Sequence, residues 1–274
     1  MAHIFQCGLL LLLLIGYGVF EDAKGESPSV FKYEEPKSLT ATIYSLDRKT
    51  VLFKFSRHLT RSGAKLEAIR EYTYPDGKLA ARERVLYNSD DLQTYELDEL
   101  QTGAYGRAII KPDSHNPSKK VLSFEYSKDS ASRGSPKRTS EPLRNDALNN
   151  DMLGPFLASH WAALVTGQEV KCRMIVVPRR ETVGFRFVKE SESQWQAKPQ
   201  IGGSAGRAAT GSVPIVIIRM EPTSPVIRAL IDPLHFKIEK GGAHRVLEYS
   251  GRTTPKVKSA NKWEDLDAIT VFDW

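Results

Sequence analysis

Apolar and polar residues alternate over most of the chain with the period of two expected of strands that bury one face. Runs over 39–45 and 50–58 open the pattern, and in the second Val51, Phe53 and Phe55 share a side. Residues 64–74 and 78–88 flank Pro75-Asp76-Gly77, where proline presets φ and glycine accepts a positive one, so the two segments predict a hairpin. Further strands are expected near 92–97, 105–111 and 121–127, then at 169–177, 182–188, 213–220, 234–239, 245–250 and 268–272. Gly241-Gly242 turns the chain between two of these. Short runs at this spacing predict an antiparallel meander, not alternating strand–helix units.

Residues 155–166 break the alternation and predict the one main helix. Pro155 suits its first position and Gly167 the position just past its end. Met152, Phe156 and Ala163 form one stripe, and Leu157, Trp161, Leu164 and Val165 the next, so a wide apolar face needs a partner. A shorter piece, 225–231, reads as helical or extended. Two stretches, 128–144 and 193–212, carry no sustained apolar period and are read as flexible inserts. The expected fold is therefore mainly β (β-rich α+β): a curved antiparallel sheet or unclosed barrel with one main helix on its concave face. A single domain is expected over 39–274, after a flexible segment at 19–38.

The amino terminus changes the picture of where the protein works. Six consecutive leucines, 9–14, lie in an apolar run with no charge before Glu21, shorter than the ~20 residues of a membrane span. Gly16 and Gly18 offer small residues before a cleavage point, so 1–18 reads as an export signal and the protein as periplasmic or secreted. An uncleaved anchor over 4–20 is the alternative.

Composition then excludes whole classes. At 41% hydrophobic residues the chain is too apolar for disorder, and two cysteines cannot build a disulfide scaffold. Cys172 shares a strand face with Val170, Met174 and Val176, as a small buried hydrophobe does. The net charge of +6 resolves into +3 within 128–144 and +4 within 252–262, leaving the remainder near neutral. Aromatics are not interleaved with those basic runs, which argues against nucleic acid. An anionic envelope surface stays open as a partner.

Candidate chemistry is sparse. Gly202-Gly203-Ser204-Ala205-Gly206 has the spacing of a hydrolase elbow but neither the strand nor the helix that chemistry requires. Gly206 to Ser212 resembles a phosphate loop without its lysine. His58, His115, His160, His235 and His244 are scattered, and the carboxylate pairs Asp90-Asp91 and Asp98-Glu99, with Glu264-Asp265 and Asp267, lack calcium-loop spacing. No cofactor or metal is expected, and no residue is assigned a catalytic role.

Three segments carry a family resemblance: Leu153-Gly154-Pro155-Phe156-Leu157 through Trp161, the strand pair over 170–188, and Ile231-Asp232-Pro233-Leu234-His235-Phe236 leading to 245–251. In these the chain resembles the LolA/LolB-like periplasmic lipoprotein carriers, which are unclosed β-barrels with helices inside the opening. The resemblance is one of architecture; it implies a hydrophobic-ligand or envelope role and transfers no functional residue. The function expected is a non-catalytic exported protein binding a lipid or a lipidated protein, with Phe156, Trp161, Phe185, Phe187 and Phe236 lining the site. The competing reading makes those rings packed core and the protein an envelope scaffold. A secreted hydrolase is the third alternative, and it requires histidines and carboxylates to converge.

Overall fold

The computed structural model describes residues 37–89, 91–196 and 212–274. The expected export signal, the elbow-like 202–206 and most of the phosphate-loop-like 206–212 lie outside them. Eight strands make up the first arm of the fold: β1 (Ser38–Tyr44), β2 (Val51–Ser62), β3 (Lys65–Thr73), β4 (Leu79–Asn88), β5 (Asp91–Glu99), β6 (Ala104–Pro112), β7 (Lys120–Ser127) and β8 (Lys137–Pro142). After β9 (Ala147–Leu148) and the helices, the second arm runs through β10 (Val170–Val176), β11 (Glu181–Gln196), β12 (Ser212–Pro222), β13 (Leu234–Glu239), β14 (Val246–Ser259) and β15 (Lys262–Asp273).

All of these belong to one curved, unclosed sheet in the order β8 to β1, then β15 down to β9. β1 pairs antiparallel with both β2 and β15, so the two arms spread outward from a seam where the first and last strands meet. Every neighbour pair is antiparallel except the short β9–β10 contact. Bulges at Ile43/Tyr44, Tyr72/Thr73, Leu86/Tyr87 and Lys237/Ile238 break the register and help curl the sheet. The two arms also touch away from the seam. Thr139 Oγ1 donates to the Arg180 carbonyl at 2.6 Å, and Glu141 accepts from the Thr182 amide at 2.9 Å. Side chains, not a backbone ladder, join β8 to the second arm.

The Pro75-Asp76-Gly77 hairpin forms as read: Gly77 has φ +88°, and the Tyr74 amide donates to the Lys78 carbonyl at 2.8 Å. Residues 137–142, expected to be flexible, are instead strand β8. Its side chains are nearly all exposed at the sheet edge, so it has no buried face to write an apolar period into the sequence. Residues 193–196 likewise continue β11, pairing from Glu192↔Val216 to Gln196↔Ser212.

The segment between the arms turns into the concave side as a plug. It starts with a 3-10 turn, Asn150–Met152, capped by the Asn149 side chain, which accepts from the Asp151 and Met152 amides. α1 (Leu153–Ser159) and α2 (Trp161–Val165) follow where one helix is expected. The break is at His160, with φ −101° and ψ 13°. The Phe156 carbonyl takes the Ser159 hydroxyl at 2.9 Å and the His160 ring nitrogen at 2.9 Å, local side-chain bonds that compete with a continuous helix. Gly167, at φ +85°, ends α2 as read: its amide reaches Leu164 O and that of Gln168 reaches Ala163 O, a Schellman cap. The 225–231 piece contains α3 (Pro225–Arg228), with Val226 and Leu230 exposed.

The plug meets a large buried cluster. Phe156, Leu157 and Leu164 pack among Val85, Tyr87, Leu122, Phe124, Phe187, Val216 and Ile218. Cys172 is buried there too, and burial pushes its thiol up to about 12, which makes it inert packing rather than a nucleophile. A second cluster, with Ala41, Ile43, Phe53, Phe55, Tyr72 and Ala268, sits at the seam between the arms. Phe187 is fully buried and contacts the Phe156 ring at 5.4 Å. Truncating it in Phe187→Ala is expected to cost about 3–5 kcal/mol. The exposed Val226→Ala control should stay within ~0.5 kcal/mol, both read by urea denaturation.

Candidate functional site

The two clusters do not meet. Between them, bordered by α1 and the seam strands, is a half-open cavity of about 370 Å³. Its walls take Phe55, Tyr72 and Phe272 from the seam side and Leu153, Phe236 and Tyr249 from the plug side. Ala158 on α1 and Ala243, both exposed, lie at its edge with His244, Val246 and Trp274.

Charged side chains also reach this wall, and the sequence pattern explains how. Strand alternation sends every second residue inward. Arg57 continues the Val51, Phe53, Phe55 face of β2, and Arg70 lies between Ala68 and Tyr72 on β3. On β4, Glu83 falls between Ala81 and Val85. Each is therefore carried into the interior, where a charge must be paired.

Arg57 holds Asp151 of the plug through Nε at 2.6 Å and Nη2 at 3.0 Å. The Tyr87 hydroxyl donates to the same carboxylate at 2.9 Å. Burial alone raises the Asp151 pKa, but the charge and hydrogen bonds of Arg57, with Arg70 and Tyr87, outweigh it and hold the carboxyl below its ordinary value. Burial, and then the Asp151 charge, push the Tyr87 phenol well above its usual range.

Glu83, fully buried, is the second node. It accepts from Arg70 Nη1 at 2.8 Å, from Asn150 Nδ2 at 3.3 Å and from the Thr254 hydroxyl. Thr254 reaches it because β14 bulges: Thr253, Thr254 and Pro255 stand opposite Leu266 alone in the ladder with β15. Proline has no N–H to give that ladder, which suits it to such a bulge. The Thr253 hydroxyl bonds the Pro255 and Leu266 carbonyls, each at 3.1 Å.

The five rings expected at the site divide. Phe236 lines the cavity. Phe156, Phe185 and Phe187 lie in the packed cluster behind it, with Phe187 linking Phe156 to Phe236 through centroid distances of 5.4 and 6.2 Å. Trp161 is only partly buried and stacks on His244 at 4.4 Å. Arg57, Arg70, Tyr72, Glu83, Asp151 and Thr254 were not foreseen. The signal that could have found them is a charge on the buried parity of a strand.

The other candidates have local partners. His58 bonds Ser38, His160 bonds the Phe156 carbonyl, and His235 faces Glu190 at 3.5 Å. Among the described residues, no three His, Cys, Asp or Glu side chains group as metal ligands. The basic run 252–262 lies on the β14–β15 hairpin. There Arg252 pairs with Asp265 and Asp267, and Lys256 with Asp265, at 2.7–2.9 Å. Glu99 is buried beside Lys256; burial raises its pKa against the pull of that lysine. Among the described residues, no helix is long and apolar enough to cross a membrane.

Asp151 has a lowered pKa in the folded chain, so its stabilisation is complete above the ordinary aspartate value near 3.8 and is lost as pH falls below it. Asp151→Asn leaves Arg57 buried without its counter-charge and should cost about 3–5 kcal/mol at neutral pH. The loss of stability on acidification should also be shallower in this variant than in the parent. Urea midpoints measured across a pH series check both.

Comparison with known proteins adds little. No protein-family model matches the chain, and no curated protein does. Among solved structures it is similar to a β-barrel-like protein of a domain of unknown function from Brucella abortus. That similarity has 8% identity and a TM-score of 0.38, and covers 87% of this chain and 98% of the other.

Proposed function

We propose that the protein is a non-catalytic binding protein that takes a hydrophobic ligand, an acyl chain or the lipid part of a lipidated partner, into the cavity beside α1. The observation that carries this reading is the gap between the two clusters. A plug that packs closely against Phe187 and Phe124 still leaves about 370 Å³ unfilled next to Phe55, Phe236, Tyr249 and Phe272. That volume falls within the ~300–1,000 Å³ of small-molecule sites, which are mostly apolar with a few placed polar groups. A scaffold with a filled core has no use for such a space. On this reading Phe236 touches the ligand, while Phe156, Phe185 and Phe187 form the wall that keeps the plug seated. Trp161 and His244 shape the edge. The envelope location implied by the amino-terminal segment gives such a protein its cargo, since acylated molecules there must cross an aqueous space.

The test uses the full chain and phenylnaphthylamine, a probe that fluoresces on entering an apolar site. The native protein is expected to bind it saturably, and extracts of the purified protein to contain acyl lipid by mass spectrometry. Ala158→Trp places an indole at the cavity edge from an exposed position, so it should fold normally and weaken probe binding at least about tenfold, a loss of ~1.4 kcal/mol. The absence of both probe binding and co-purified lipid in the native protein would overturn the reading.

A further inference from the structure

The charges on the cavity wall say what kind of polar end a ligand can bring; this step rests on the binding role proposed above. Four arginines reach the wall: Arg57, Arg70, Arg245 and Arg252. Each already faces a carboxylate. Arg57 holds Asp151, Arg245 holds Glu239 through two bonds of 2.9 and 3.1 Å, and Arg252 holds Asp265 and Asp267. Arg70 holds Glu83. The cavity is thus walled by cations with their charge spent.

Arg70 differs from the others in what it has left. Only Nη1 is engaged by Glu83, and Nε and Nη2 make no hydrogen bond among the described residues. Its guanidinium lies over the Phe55 ring at 5.3 Å, an attraction that steadies it against the wall. Its side chain is 14% exposed and it lines the cavity, while Glu83 behind it is fully buried. The neighbouring hydroxyls have other work: Thr254 donates to Glu83, Thr253 to backbone carbonyls, and Tyr249 to the Arg252 carbonyl at 2.5 Å. Arg70 therefore offers hydrogen-bond donors without offering net charge.

That distinction selects a ligand. A free carboxylate placed at Arg70 would sit beside Glu83 as a second buried anion with one cation between them, which costs like-charge repulsion and desolvation. An uncharged carbonyl oxygen accepts the same N–H groups and disturbs no pair. We propose that the cavity recognises an uncharged acyl carbonyl, as in an ester-linked lipid or acylated protein, through the spare donors of Arg70, and discriminates against the free fatty acid. Phe236 and Phe272 then flank the chain.

Displacement of phenylnaphthylamine from the full chain tests this with three compounds of matched chain length: methyl laurate, laurate and dodecyl methyl ether. The ether keeps the ester's apolar surface and neutrality but lacks the carbonyl. Methyl laurate is expected to displace the probe at about tenfold lower concentration than the ether, the fold-change of one hydrogen bond to a charged donor, and more readily than laurate at neutral pH. Two variants isolate Arg70. Arg70→Lys keeps the charge facing Glu83 but removes the forked donors. The double variant Arg70→Met, Glu83→Gln removes the pair together and leaves no orphaned charge. In both, the ester and the ether should converge to within about twofold of each other. The inference is overturned if laurate binds as tightly as the ester, or if the ester–ether gap survives in both variants. Failure of the probe itself to bind the native chain would instead remove the binding role on which this step stands.

Discussion

A sheet curled on itself must do something with its concave side. Side chains from every inward position point into that volume, and the sheet cannot cover them by itself. In this protein the filler is the connection between the arms, a 3-10 turn and two short helices of 7 and 5 residues. The plug has enough apolar surface to close one core around Phe187. It does not reach the Phe55–Tyr72–Phe272 side, where the first and last strands meet. The cavity follows from that mismatch between a long sheet and a short plug.

The buried ion pairs fix where the plug sits. Asp151 accepts from Arg57 on β2 and Tyr87 on β4, and Asn150 donates to Glu83 on β4 and meets Tyr95 on β5. Two consecutive residues of the turn are thus keyed to three strands of the first arm, while Phe156 of α1 meets Phe187 of the second. Buried pairs of this kind contribute little net stability compared with a well-packed apolar core, because desolvation offsets their attraction. Their contribution here is positional. The turn cannot slide along the sheet without leaving a charge uncompensated, so the cavity keeps a fixed shape.

The strands were legible because alternation is a local property, and the hairpin at 75–77 and the cap at Gly167 because glycine and proline act within a turn. What escaped the sequence depends on distance. β8 lacks an apolar period because its edge position exposes both faces. The acids that pair the basic run at 252–262, Asp265 and Asp267, face it only across the ladder with β15. The break at His160 arises from side-chain bonds to the Phe156 carbonyl, invisible to a helical-wheel count. Aromatic content weighs Phe156, Phe185, Phe187 and Phe236 equally, because only the three-dimensional packing separates a ring at the cavity wall from three in the cluster behind it. Arg57, Arg70 and Glu83 did carry a signal: each interrupts an apolar parity.

The seam between β1 and β15 bears on the order in which the protein can be assembled. Most of the sheet is built from sequence neighbours, hairpin after hairpin, each needing only a short loop to close. The seam is different: Thr40 bonds Asp273 across 233 residues of chain. Such a contact carries a large closure entropy and forms slowly. The two arms can each develop as a growing ribbon while the chain is still emerging, but their junction waits for β15. Until then the cavity lacks Phe272 and the strand that joins its two sides. A polypeptide whose first strand gains its second neighbour only from the other end closes its sheet last, at the place where the cavity lies.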